Sequence, residues 1–159
     1  MIADNINQKI TEALKSRDEI RLSTLRMLSS ALNYEKIAKQ HDLSKEEELV
    51  VVKREAKKRT DAIESLLQAR GRLTSSNETR MEDRLEQEEK ELEILKKYLP
   101  EELSDEELQN FVDEAIKETG ANEMKDMGKV IGTVMQKSKG RADGKRVAEK
   151  VKEALGTRH

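Results

Sequence analysis

A single proline, Pro100, interrupts 159 residues in which leucine, isoleucine and valine return every third or fourth position. That spacing lines one face of an α-helix, whereas a half-buried strand alternates with a period of two. Helix is therefore predicted for nearly every segment. Composition narrows how such helices pack. Charged residues make up 40% of the chain, apolar residues 35%, and the aromatics are Tyr34, Tyr98 and Phe111 alone. With so few of the rings that dominate core burial, the chain can fill thin seams between helices but not a broad core. The expected fold is all-α, an elongated N-terminal domain of about four helices followed by a compact three-helix domain.

Local signals place the elements. Ile6, Ile10 and Leu14 mark a first helix from about 4 to 16. Leu25, Leu28, Leu32 and Ile37 mark a second from about 18 to 40. Ser44 and Glu47 form a capping-box pair that opens a third helix, with Leu49, Val52, Ala56, Ile63 and Leu66, ending near Ala69. The stretch RGRLTSSN (70–77) reads as the longest loop. Met81, Leu85, Leu92, Leu95 and Leu99 carry a fourth helix, which Pro100 stops. Ser104 and Glu107 repeat the capping box, and Leu108, Phe111, Val112, Ala115 and Ile116 follow at helical spacing, with Gly120 as a left-handed C-terminal cap. These signals divide the chain into domains 1–99 and 100–159.

Charge is segregated although the net charge is only −2. Residues 53–72 hold seven basic and three acidic side chains, and 78–93 hold eight acidic and three basic. Two antiparallel helices with complementary faces explain this, while a polyanion-binding face at Lys53, Arg54, Lys57 and Lys58 is the alternative. Further on, 101–118 holds eight acidic residues and one basic, a net of −7, and 125–152 holds nine basic and three acidic, a net of +6.

The most unusual segment is DMGKVIGTVMQKSKGRADGKRV (126–147), with four of the seven glycines. Met127, Val130, Ile131, Val134 and Met135 share one helical face, flanked by Gly128 and Gly132. Each helix-interior glycine costs about 1 kcal/mol against alanine, so these two are expected to allow close helix packing or backbone approach. Gly140 is expected to end the helix in a left-handed conformation. With Gly144 it makes a tight junction, and Asp143 caps a last helix bearing Val147, Val151 and Leu155. Lys129, Lys137, Lys139, Arg141, Lys145 and Arg146 surround this junction and are the candidate contacts to a phosphate backbone, since helix N-termini and flexible cations both attract anions.

Catalytic signals are weak. No cysteine is present, which removes disulfides, thiolate zinc sites and thiol nucleophiles. The carboxylate pairs Glu46/Glu47, Glu88/Glu89 and Glu106/Glu107 read as solvated helix-end charge. His41 and His159 stand apart from any nucleophile or metal-ligand set, and no Walker or dinucleotide motif occurs. No catalytic residue, cofactor or metal is expected. No stretch approaches a membrane span, and the first residues lack a basic start and apolar core, so a cytoplasmic location is expected.

The segments 22–38 (LSTLRMLSSALNYEKIA), 88–100 (EEKELEILKKYLP), 98–121 (YLPEELSDEELQNFVDEAIKETGA) and 126–147 together resemble the YqeY-like proteins. The C-terminal part of that family is similar to the tail domain of GatB, a subunit of the tRNA-dependent amidotransferase. The resemblance implies an all-helical fold, tRNA contact by the tail and a family association with carbon–nitrogen ligation using glutamine as amido-N donor. The tail is not the catalytic part of GatB, and GatB tails commonly read asparagine-proline where this chain has Asp143-Gly144. The match is to the stand-alone branch. The expected partner is tRNA or another structured RNA, with a protein-interaction module in an amidotransferase or translation complex as the alternative. Neither DNA nor membrane is expected.

Overall fold

The computed structural model describes residues 1–72 and 75–156, without the side chains of residues 75 and 76. His159 lies outside the described residues. Seven α-helices follow one another, with no strand among the described residues: α1 (Ile2–Lys15), α2 (Glu19–Lys39), α3 (Lys45–Ala69), α4 (Ser75–Lys96), α5 (Asp105–Thr119), α6 (Met127–Lys137) and α7 (Gly144–Gly156). No helix is long and apolar enough to cross a membrane among the described residues. The backbone forms two compact units, Met1–Leu99 and Pro100–His159.

Both capping boxes close as their sequence demands. Ser44 Oγ accepts the Glu47 amide at 3.2 Å while Glu47 accepts the Ser44 amide at 2.8 Å. Ser104 and Glu107 do the same at 3.2 and 2.9 Å. Gly120 caps α5 at φ 65°. The fourth helix differs from expectation at both ends. It begins at Ser75, inside the expected loop, and Arg70–Arg72 form a single 3-10 turn. It ends at Lys96, and bonds from the Tyr98 and Leu99 amides to Leu95 and Lys96 carry the chain to Pro100 in turns.

In the N-terminal unit, Ile6, Leu28, Leu32, Val51, Val52, Ala56 and Leu95 meet in one apolar cluster. Two residues expected on its stripes lie elsewhere. Leu14 is 55% exposed and Ile37 is 75% exposed. On α1 the buried row runs through Ile6 and Ala13, and Leu14 is one position, about 100°, beyond it. The row on α2 likewise ends at Leu32. The α3–α4 seam is held by charge: Arg59 Nε lies 2.9 Å from Glu91 and its Nη1 lies 3.5 Å from Glu88, with both carboxylates buried. Glu88 is therefore not the solvated surface carboxylate its pairing with Glu89 suggested. The complementary helices that the charge segregation predicted are present in this pairing and in Arg70 with Glu82 at 3.6 Å.

The C-terminal unit is a three-helix arrangement around Leu108, Val112, Ala115 and Ile116 of α5, Val130 and Val134 of α6, and Val147, Val151 and Leu155 of α7. Phe111 packs at its margin, partly buried.

Candidate nucleic-acid interface

The turn between α6 and α7 is built from backbone outward. At the end of α6 the Ser138 amide bonds to Val134 and its buried hydroxyl donates to the Met135 carbonyl at 3.2 Å. Lys139 and Gly140 then both adopt left-handed backbone, at φ 49° and 75°. Glycine takes this conformation without cost, whereas a lysine there is strained. The Arg141 amide closes the turn onto Ser138 at 3.0 Å. Ala142 is buried, and α7 begins with the Val147 amide bonded to the Asp143 carbonyl at 3.0 Å.

The turn is fastened to the segment before α5. The Leu103 amide donates to the Arg141 carbonyl at 2.8 Å, and Arg141 Nε donates to the Glu101 carbonyl at 3.0 Å. Both terminal nitrogens of Arg146 donate to the Leu103 carbonyl at 3.1 Å, and Nη2 reaches Asp105 at 2.9 Å. On the other side of the bundle Lys137 of α6 is paired with Glu118 and lies 3.7 Å from Glu114, both on α5. The bond to Glu118 raises the Lys137 ammonium above its ordinary value.

These contacts divide the six sequence-predicted cations. Lys137, Arg141 and Arg146 each bond to α5 or the segment leading to it, so part of their donor capacity is used within the unit. Lys129 and Lys139 are exposed, and among the described residues no carboxylate lies within ion-pair distance of either. Lys145 is also exposed, on the first turn of α7, and engages a partner of its own. The acidic stretch of α5 and the basic α6–α7 segment thus partly neutralise each other, as α3 and α4 do.

Three of the four glycines expected to allow close packing or backbone approach stand in open space. A Cβ placed on Gly128, Gly132 or Gly144 meets nothing within 4 Å. Close packing inside the unit does not account for them, because the buried face of α6 lies toward Val130 and Val134 and both α6 glycines are exposed. Gly140 matches its expected left-handed role.

In the N-terminal unit the alternative basic face is largely neutralised. Arg54 bonds to Glu35 at 3.1 Å, Lys57 to Asp61 at 3.3 Å and Lys58 to Glu55 at 2.9 Å, while Lys53 is half-buried. Two arrangements there escaped the sequence reading. One is the Arg59–Glu88–Glu91 cluster, foreshadowed only by the complementary charge of its helices. The other is Glu48, fully buried on α3, whose two oxygens accept the Ile2 and Ala3 amides at 2.8 and 2.9 Å and so cap α1 from a distant helix. It borders a cavity of about 230 Å³ with Asn5, Lys9, Lys45 and Tyr98 on its walls. Nothing in a local sequence pattern reveals a cap supplied across 46 residues. Among the described residues, no group of three or more histidine, aspartate or glutamate side chains could hold a metal.

No curated protein matches the chain. The family model described as Yqey-like protein matches residues 3–155, a span that takes in both helical units, the paired capping boxes and the glycine-rich turn. The chain belongs to the Yqey-like protein family.

Proposed function

We propose that this protein is a non-catalytic accessory protein that binds tRNA or another structured RNA through its C-terminal three-helix unit. The observation that carries the reading is the pair of exposed lysines, Lys129 and Lys139, neither of which has a carboxylate within ion-pair distance among the described residues, although Asp126 lies near enough to Lys129 to feel its charge. The second of them sits in a turn closed by the Arg141 amide on the Ser138 carbonyl. Exposed Lys145 follows on α7. Aromatic platforms for single-stranded bases are scarce, since Phe111 is partly buried in this unit, so phosphate and helical shape are what such a surface reads. The likeness of this unit to the GatB tail supports the same reading, and it is the ground for an association with glutamine-dependent carbon–nitrogen ligation.

The test is tRNA binding by K129A/K139A/K145A at several salt concentrations. Loss of up to three phosphate contacts lowers affinity at least tenfold and reduces the salt slope by about 2–3. An unchanged affinity and slope overturn the reading. Lys137, Arg141 and Arg146 are left intact because their substitution unfastens the turn.

A second reading, a protein-interaction module in an amidotransferase or translation complex, is favoured by the open strip at Gly128 and Gly132 beside the 40% exposed Met124. A Gly132→Leu variant that keeps RNA affinity but loses a stoichiometric protein partner supports it, and retention of that partner counts against it.

A further inference from the structure

A cavity of about 230 Å³ opens in the N-terminal unit where α1 passes the start of α3. Its walls are of two kinds. Ile2, Leu49 and the half-buried Tyr98 supply apolar surface, and Lys9 and Lys45 add two ammonium groups. The carboxylate that borders it, Glu48, is fully buried and already engaged, one oxygen with the Ile2 amide and the other with the Ala3 amide. Among the described residues no carboxylate lies within ion-pair distance of Lys9 or Lys45. The acidic residues flanking Lys9 along α1 are taken elsewhere: Asp4 lies 3.3 Å from the amino group of Met1, and Glu12 lies 3.7 Å from Arg21. The cavity thus combines apolar walls with positive charge that the chain leaves uncompensated.

We infer that this cavity binds a small aryl carboxylate, with the carboxylate at Lys9 and Lys45 and the ring against Ile2, Leu49 and Tyr98. Volume sets the size of the ligand. A cavity of about 150 Å³ accepts benzene, so this one has room for a ring and a short carboxylate-bearing arm. It is smaller than the roughly 300–1,000 Å³ of pockets for drug-sized molecules. Charge sets the sign. An aryl cation of the same size meets two like charges, and a neutral ring gains the apolar contact alone. An anion without a ring leaves the apolar walls in water. The bonds from Glu48 join the first turn of α1 to α3, so the walls stand in place before the ligand arrives. Lys45 is exposed and Lys9 partly so. Attraction between exposed charges is modest and the ligand has few atoms, so binding is in the millimolar range.

Titration of the full chain with phenylacetate, followed by its amide nitrogen–proton correlation spectrum, is the direct test. Saturable shifts are expected at the amides of Ile2, Lys9, Leu49 and Tyr98, with weaker affinity for phenethyl alcohol and for acetate and none for phenethylamine. The absence of saturable shifts at these amides overturns the inference, and so does equal affinity for the amine. The double variant K9Q/K45Q lowers phenylacetate affinity about fivefold or more and leaves that of phenethyl alcohol unchanged. Both side chains reach solvent, so its thermal midpoint is retained. An unchanged phenylacetate affinity in this variant shows that the lysines do not hold the carboxylate and overturns the assignment.

Discussion

Around Arg59 the N-terminal unit packs charge against charge, whereas around Val130 and Val134 the C-terminal unit packs apolar side chains. Glu48, Glu55, Glu88 and Glu91 are buried in the first unit, and Ser138 is the buried polar residue of the second among the described residues. The contrast teaches that the same low-apolar composition supports two kinds of seam. Long helices with few large apolar residues use ion pairs to fix register, at the cost of desolvating them. Short helices with aliphatic residues at their buried positions need no such device, and their charges stay at the rim as fasteners.

The largest effect that tests this contrast comes from Arg59→Met. Removing the cation leaves buried Glu88 with Arg84 at 3.8 Å and buried Glu91 with the Gln87 amide at 3.0 Å as their remaining partners, and stability measured by urea denaturation falls by up to about 3–5 kcal/mol. Neither Arg59 Nε nor Glu88 Oε2 has an aligned hydrogen-bond partner, so the cluster is held by Coulomb attraction. Replacing Arg59, Glu88 and Glu91 together with leucine or methionine recovers most of the loss, which a seam held by hydrogen-bond geometry does not do.

In the C-terminal unit the corresponding vulnerable point is a cavity. Leu108→Ala, at a side chain with no exposure, lowers stability by about 2–5 kcal/mol in the same measurement. A cost below that range marks a core that collapses readily, and brings the two units closer in character.

A smaller effect of opposite sign is expected on α6. Gly128→Ala and Gly132→Ala each raise the stability by about 1 kcal/mol, because the added methyl meets nothing within 4 Å. Destabilisation by either change in thermal melts shows that the glycines serve packing within the unit after all.

The mildest comparison is between the two capping boxes. Glu47 accepts a bond from Lys39 and another from the Ser44 amide, and these hold its carboxyl down to about 2 from the ordinary 4.5. Glu107 is lowered by the amide and hydroxyl of Ser104, without a lysine bond. A carboxyl depressed in the folded state adds stability that is fully present above its unfolded value and is lost as pH falls through its folded value. Between pH 4.5 and 2, Glu47→Gln therefore flattens the acid limb of the melting curve more than Glu107→Gln does. Equal flattening removes Lys39 from the account.

Much of the fold was legible locally. Ser44 and Ser104 announced helix starts to the residue, since a capping box needs only four consecutive positions to form. Gly120 and Gly140 announced ends, because left-handed backbone selects glycine. The site was legible only in part. Lys139 and Lys137 are neighbours in a basic run, yet one points to water and the other is paired with Glu118. Composition assigns both the same charge, and their surroundings depend on where α5 lies.

The amino-acid order alone determined the helical periods, the caps and the segregation of charge, because each arises from residues within one or two turns of one another. The tertiary structure decided which charges face each other. Glu48 capping α1, Arg59 between two carboxylates and Arg146 on the Leu103 carbonyl all join residues far apart in sequence. It also decided which apolar stripe stays outside: α2 carries two, and packing of Leu28 and Leu32 inward leaves Tyr34 and Ile37 in water. A helix presents all its faces in its sequence, but only its neighbours determine which of them is buried.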